Sequence, residues 1–418
     1  MASRLRLLEL AEEVRDSYWF VPGLIASGGL LAGLGLVFVD GYLGSDWLGR
    51  FQWFTGSRPE GARSVLSTVA GSTITVAGVV FSITLAAVTY ASGQYGPRLL
   101  SNFQRDRGNQ ATLGVFLATY LYCLVVLRTI RSAAEASADT GGTVREAFVP
   151  HLAVYCALAL ALASIAVLIY FVHHVTDGIH INNVIARIGR DLIDDVRRSP
   201  IPAHAPTPDD WAARDPAPVA AAGSGYLEAI DQDALRALAA ERGVALRLLR
   251  RPGDFVHAGR PLLEAAPAAL VGPELAEACN EAVAVGRRRS ALQDLRFPID
   301  ELVEVAARAL SPGVNDPFTA IACLDWLGAA LTELDRRAAT GANAGGGGEP
   351  PRLFADPLFF EDYLASAFGQ LRPYVAADVN ARRHALRTLD EVACGAQDAA
   401  NRAALLAERE RLSAAPEA

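Results

Sequence analysis

The sequence predicts an α-helical membrane protein: four transmembrane helices, then a cytoplasmic α+β domain with a small β element followed by mostly helix. Three observations carry that prediction. Residues 64–97 form 34 consecutive uncharged positions, and three further long uncharged runs lie in the same half of the chain. A Pro-rich stretch near residue 200 closes that half. Beyond it, turn chemistry and short apolar alternation return, and the charge balance becomes strongly acidic.

A bilayer core about 30 Å thick takes roughly 20 apolar residues as helix. The first run, Ser17 to Val39, contains Pro22 and the glycines Gly23, Gly28, Gly29, Gly33 and Gly35, and predicts a helix over 17–39. The second, 64–97, is long enough to span with a surplus, about 51 Å at 1.5 Å per residue. Gly108 to Leu127 and Ala147 to Thr176, the latter broken only by histidines, predict helices over 108–127 and 147–176. The opening residues, MASRLRLLELAEEVRDS, are charged and helical rather than signal-like, so no cleaved leader is expected.

Arginine placement sets the expected orientation. Ten arginines (Arg4, Arg6, Arg15, Arg98, Arg105, Arg107, Arg187, Arg190, Arg197 and Arg198) flank one side and six (Arg50, Arg58, Arg63, Arg128, Arg131 and Arg145) the other. The positive-inside rule then places both termini in the cytoplasm of a bacterial inner membrane. All 38 basic residues are arginine. Without lysine, a phosphate-binding loop of the Walker type and a Schiff-base site are excluded. Residues 1–200 hold 16 arginines and 15 acids and the remainder 22 and 31, which argues against nucleic acid as a partner. The five cysteines (Cys123, Cys156, Cys279, Cys323, Cys394) lack paired spacing, so neither a zinc site nor a redox motif is read from them.

The expected domain plan is a transmembrane domain over 1–198, a Pro-rich linker over 199–222, a β element over 223–268, and a helical domain over 269–418 with a flexible loop at 341–350. Residues 226–240 read as helix and Val244 to Leu249 as a strand. Arg251-Pro252-Gly253-Asp254 reads as a turn into a short strand at 255–257. The pattern GD-x-V-x-x-G-x-x-L at 253–262 resembles the sharp-turned β-sandwiches of lipoyl and biotinyl carriers, but no lysine exists to carry either group. After residue 272 the chain reads as helix to its end. Ile299, Leu302, Val303, Ala306 and Leu310 form one stripe, Asp316 caps a new helix opened by Pro317, and 359–374 reads as a final amphipathic helix.

Three segments are distinctive: Gln94-Tyr95-Gly96-Pro97-Arg98; Asn102 to Gln110, NFQRDRGNQ; and Ala309 to Ala320, ALSPGVNDPFTA. With them the chain resembles a bacterial family of predicted integral membrane proteins known as a domain of unknown function. The resemblance runs along nearly the whole chain and implies the membrane-plus-cytoplasmic layout. It implies no activity.

The principal candidate site is in the second run. Ser64, Thr68, Gly71, Thr75, Gly78, Ser82, Thr89 and Gly93 follow steps of three and four, with one gap at Leu85–Ala86, and share one helical stripe. Such a stripe either packs tightly on another helix or faces water inside the membrane. Its length, about eight turns, exceeds what one helix crossing requires. The expectation is therefore an oligomeric channel lined by the second helix and gated by the cytoplasmic domain, with Arg63 and Arg98 at its mouths favouring anions. The alternative is a non-conducting scaffold or signalling protein, in which the stripe is buried within one subunit.

His173, Asp177 and His180 lie at i, i+4 and i+7 and are a candidate metal or proton site; an interfacial snorkelling cluster is the plainer account. Arg287 to Phe297 could bind an anionic ligand or lipid headgroup, or simply pair with nearby acids. No catalytic triad order, nucleophile elbow or paired carboxylates stand out, so no enzyme and no cofactor are expected. The expected partners are the lipid bilayer, further copies of the chain, and ions.

Overall fold

The computed structural model describes residues 17–43, 59–95, 106–131, 148–198, 205–341 and 352–416. Four of its helices are long and apolar enough to cross a membrane: α1 (Phe20–Leu43), α2 (Pro59–Tyr95), α3 (Arg107–Thr129) and α4 (His151–Ile179). A mixed unit of two small sheets and further helices follows, as the sequence predicts. The chain divides into two compact units between His180 and Ile181. That boundary corrects the expected one at residue 198: helix α5 (Ile181–Arg198) turns its apolar stripe of Val184, Ile185, Ile188, Leu192 and Val196 into the second unit.

In the membrane unit α3 is the central helix, with 56% of its span buried against 17–28% for the others. Small residues set the crossing of α1 and α3. A Cβ on Gly29 would lie 2.7 Å from the Ala118 Cβ, and one on Gly114 would lie 2.9 Å from Ile25. Such close approach is how helices gain contact where lipid offers no competing hydrophobic drive. Gly29→Val is accordingly expected to part α1 from α3 and destabilise the unit by about 1–3 kcal/mol. Thermal unfolding in nanodiscs, with Gly23→Val as control since a Cβ at Gly23 meets nothing within 4 Å, reads this directly.

One rim of the bundle is tied by polar bonds. Asp40, 7% exposed near the end of α1, accepts from the Leu152 and Ala153 amides at 3.3 and 2.9 Å and so caps the start of α4. The fully buried Tyr122 donates to the Ala153 carbonyl at 2.8 Å. Arg63 donates to the Ile130 carbonyl at the end of α3, also at 2.8 Å. Deeper in the bundle, Thr119 and Ser164 pair at 3.2 Å.

The second unit opens on its sheets. Strands β1 (Ala217–Ala220), β5 (Pro261–Ala266), β3 (Ala245–Leu248) and β7 (Leu353–Ala355) lie side by side in that order, antiparallel except for the β3–β7 pair. Strands β4 (Phe255–Val256), β2 (Gly225–Ile230) and β6 (Val283–Gly286) form the other sheet. Leu227, Leu235, Leu246, Leu262 and Leu263 fill the core between these strands and helices α6 (Gln232–Arg242) and α7 (Pro273–Glu281). Burial in that core pushes the Cys279 thiol up to about 11.

Several expectations are corrected here. Residues 225–230 are strand β2, and only 232–242 are helix, because β2 is held by partners distant in sequence, Phe255 and Val256 on one side and Val283 to Gly286 on the other. Strands β6 and β7 interrupt the region read as helical to the end, so the β element draws on residues well past 268. The Pro-rich linker is shorter than 199–222. Ala205 already pairs with Phe354, and Trp211, 5% exposed, donates its indole N–H to Glu264 at 2.7 Å. The loop expected at 341–350 lies outside the described residues except for Gly341, which ends a helix.

Helix α8 (Arg296–Ala309) carries the anticipated stripe through Ala306, with Leu310 its half-buried C-cap, and α9 (Pro317–Gly341) begins as anticipated. Asp316 accepts from the Thr319 amide at 3.2 Å and from its hydroxyl at 2.6 Å. The segment at 359–374 is α10 (Phe360–Leu364), a π-helical turn over Ala365–Gly369 and α11 (Gln370–Ala376). It is not the last element, since α12 (Val379–Gly395) and α13 (Ala399–Ala414) follow. Within the Arg287 to Phe297 stretch, Arg289 and Arg296 are held in ion pairs. Arg289 meets Asp294 and Asp300, each at 2.6 Å, and Arg296 meets Asp254 at 3.1 Å and Asp294 at 3.3 Å. Burial would pull both guanidiniums down, but these carboxylates outweigh it and hold them above their ordinary values.

Candidate functional site: the outward face of the second membrane helix

Helix α2 has two opposite characters. Ala62, Leu66, Val69, Ala70, Thr73, Ala77, Val80 and Thr84 are buried against the rest of the bundle. At about 100° per residue these positions centre on one side of the helix, and the Ser/Thr/Gly stripe centres on the side facing directly away. All eight stripe residues, Ser64, Thr68, Gly71, Thr75, Gly78, Ser82, Thr89 and Gly93, are exposed. A Cβ at Gly71 or Gly78 would meet nothing within 4 Å. These glycines therefore do nothing for packing within the chain, in contrast to Gly29 and Gly114.

The outward faces of α1 and α4 are different. They show Leu24, Leu31, Leu34 and Phe38, and Leu158, Leu162, Ile165 and Ile169, as lipid-facing helices do. On α2 the bulky apolar groups that point outward lie beside the stripe, at Val65, Val79, Ile83 and Tyr90 on one flank and Ile74 and Phe81 on the other, with Leu85 in the gap.

The hydroxyls are oriented by the helix itself. Thr68 donates to the Ser64 carbonyl, Thr75 to Gly71, Ser82 to Gly78 and Thr89 to Leu85, each at 2.8 Å. Donation back to i−4 satisfies each hydroxyl hydrogen and leaves the oxygen lone pairs facing out. These four residues recur every seventh position, as do Ser64, Gly71 and Gly78 in the other register. A strict seven-residue repeat keeps one seam on a common axis when helices supercoil left-handedly.

The expected mouth residues fare differently. Arg63 is turned into its own bundle by its bond to Ile130, because the C-terminal carbonyls of α3 lack intrahelical donors. It ties the start of α2 to the end of α3. Arg98 lies outside the described residues, as does most of the NFQRDRGNQ segment.

His173 and Asp177 do meet, at 3.4 Å, with their side chains 82% and 56% exposed. His180 does not complete a set: it is the cap of α4, with extended backbone, so the helical face ends before it. Among the described residues no group of three His, Cys, Asp or Glu side chains is placed to hold a metal ion, which corrects the His173–Asp177–His180 expectation. The neighbouring His174 makes the inter-helix contact instead. Its Nε2 lies 2.9 and 3.0 Å from the two Asp106 oxygens, 68 positions away in sequence. Sequence reasoning missed this pair, and it missed the Asp40 cap. The one available signal was a carboxylate standing at the edge of an uncharged run.

The family model described as "Predicted membrane protein (DUF2254)" matches residues 15–391. Uncharacterized proteins of Mycobacterium bovis and Mycobacterium tuberculosis are each 34% identical over 339 residues, covering 79% of this chain and 62% of the relative. The chain thus spans less than two thirds of the length of these curated relatives. No solved structure matches.

Proposed function

We propose that this chain, which belongs to the Predicted membrane protein (DUF2254) family, assembles as an oligomeric membrane pore with the outward face of α2 turned to the common axis. One observation carries the reading: the Ser/Thr/Gly stripe of α2 faces away from the described residues of its own chain and is free of bulky apolar side chains over most of its length. Its seven-residue period suits parallel copies of α2 packed about a symmetry axis. Thr68, Thr75, Ser82 and Thr89 would then form hydroxyl rings about 10.5 Å apart along the axis. Because their hydrogens are committed to backbone carbonyls, the rings offer oxygen lone pairs, which favours cations over anions. With Arg63 turned away, the anion preference first expected at that mouth loses its basis. The arginine distribution supports cytoplasmic termini by the positive-inside rule, and the second unit would then act there as the gate.

The scaffold reading required the stripe to be buried within one subunit, and its exposure removes that support. Cysteine substitution tests the pore directly. In a Cys156→Ser/Cys394→Ser background, which removes the two cysteines that are not buried, single cysteines at Gly71, Thr75, Gly78 and Ser82 are expected to react with a membrane-impermeant thiol reagent and to block cation flux in liposomes. Cysteines at Val65, Ile74 and Val79 should do neither. Efficient disulfide cross-linking along the stripe without labelling or flux would mean a dry seam, and the pore reading would be wrong.

A further inference from the structure

Beyond conduction, we infer that the corner between α8 and α9 docks on the bilayer surface, with Val314 and Phe318 inserted into the lipid headgroup layer. Phe318 is 75% exposed, more than any other large apolar side chain of the second unit among the described residues, and Val314 is 47% exposed. Both belong to the ALSPGVNDPFTA segment. A lone exposed apolar residue is ordinary, but two on one bonded corner invite an apolar partner. The corner is built to hold them outward. The Val314 and Asn315 amides both donate to the Ser311 carbonyl, at 3.0 and 2.9 Å, and the Asp316 amide donates to the Ala309 carbonyl at 2.8 Å. Asn315 takes φ +50°, a left-handed conformation that asparagine adopts more readily than most residues. The tip, Pro312-Gly313-Val314, brings no polar side chain, and its proline brings no N–H. Entry into a headgroup layer therefore strands few polar groups.

The course of the chain identifies the occupant. Phe318 and Asp316 line an open groove together with Ile181 and Asn182, all of them within the second unit. Ile181 stands two positions after Ile179, the last residue of α4. Two residues of chain reach about 7 Å at most, so Ile181 stays near that helix end whatever angle the unit adopts. The α4 span of 28 residues is about 42 Å long, and a bilayer with its headgroups is about 40–45 Å thick. The end of α4, and the groove with it, is thereby held at headgroup level. Lipid is the apolar environment within reach of Phe318 there. The carboxylates beside it are already engaged: Asp316 by the Thr319 hydroxyl and Asp325 by His384, each at 2.6 Å. Docking is therefore apolar insertion and needs no anionic headgroup.

The test uses the full chain in phosphatidylcholine nanodiscs, in the Cys156→Ser/Cys394→Ser background, with a bimane label on single cysteines and nitroxide-bearing lipid as the quencher. Val314→Cys and Phe318→Cys are expected to lose fluorescence to a headgroup-level nitroxide about as strongly as Val172→Cys on the outward side of α4. Leu406→Cys, exposed on α13, should keep its fluorescence. In the labelled Val314→Cys protein, Phe318→Ser should remove most of the quenching. Phe318→Trp should retain it, because an indole favours the membrane interface. Unquenched labels at 314 and 318 beside a quenched Val172 would overturn the proposal, as would an unchanged signal after Phe318→Ser. Quenching equal to that at Leu406, or present only with anionic lipid, would overturn it too. So would labels shielded from lipid and aqueous quenchers alike, the sign of contact with a second copy. The readout is depth, so a chain that carries no flux yet buries these labels would sink the pore and leave the anchor standing.

Discussion

Asp294→Ala is expected to destabilise the second unit by about 3–5 kcal/mol, the cost of leaving buried charges without their partner. The carboxylate is 3% exposed and joins two arginines, Arg289 and Arg296. Arg289 reaches its Oδ2 with two nitrogens, at 2.6 and 3.2 Å. Arg296 reaches its Oδ1 through both its amide, at 3.0 Å, and its guanidinium, at 3.3 Å. The same carboxylate packs where a side chain at Gly253 would stand, and Gly253 has φ +90°, so the β turn at 251–254 is shaped around it. Next to it Gln293 bonds both the amide and the carbonyl of Ile230 and fixes the end of β2. Removing the carboxylate would leave Arg289 with Asp300 and Arg296 with Asp254, each half-buried and short of acceptors. Urea unfolding monitored by tryptophan fluorescence measures the loss. A change below about 1 kcal/mol would show that the network contributes no more than surface ion pairs do.

The second large effect is expected from Gly189→Val. Helix α5 crosses α9 at Gly189, and a Cβ there would fall into the Trp326 ring, whose Cγ is 2.6 Å away. An indole cannot step aside as the tip of a flexible chain can, so the helices must separate. The expected cost is about 1–3 kcal/mol from overpacking. Further loss follows because Arg197–Glu333, at 3.3 Å, and the bond from Arg337 to the Val196 carbonyl depend on the same crossing. Hydrogen exchange across 184–196 should rise sharply in this variant. Unchanged protection there would mean that α5 docks without close contact at Gly189.

The membrane layout was legible because its signals are local. Four uncharged runs of spanning length and a three-four step of hydroxyls and glycines can be read without knowing any partner. What the stripe faces was not legible. It depended on where Leu66, Thr73 and Ala77 are buried, on the opposite side of the same helix. The sheets failed for a similar reason. Gly225 to Ile230 has the composition of a helix, and only pairing with Phe255 and with Val283 to Gly286 makes it a strand. Arg63 shows a third limit: sequence located the residue at a helix end but could not say that its guanidinium turns inward. That His174 and Asp106 meet, 68 positions apart, could not be read from the carboxylate's place beside an uncharged run.

The ties described for the membrane unit are unevenly distributed. Asp40 joins the end of α1 to the start of α4, and Arg63 joins the start of α2 to the end of α3, all at one rim. At the other rim the bridge between side chains of different helices is the imidazole–carboxylate pair. Among the described residues the bundle is therefore held at one rim by the Asp40, Tyr122 and Arg63 ties and at the other by the imidazole–carboxylate pair. A rearrangement of these four rods should travel least near Asp40 and most at the rim where the imidazole–carboxylate pair must part first.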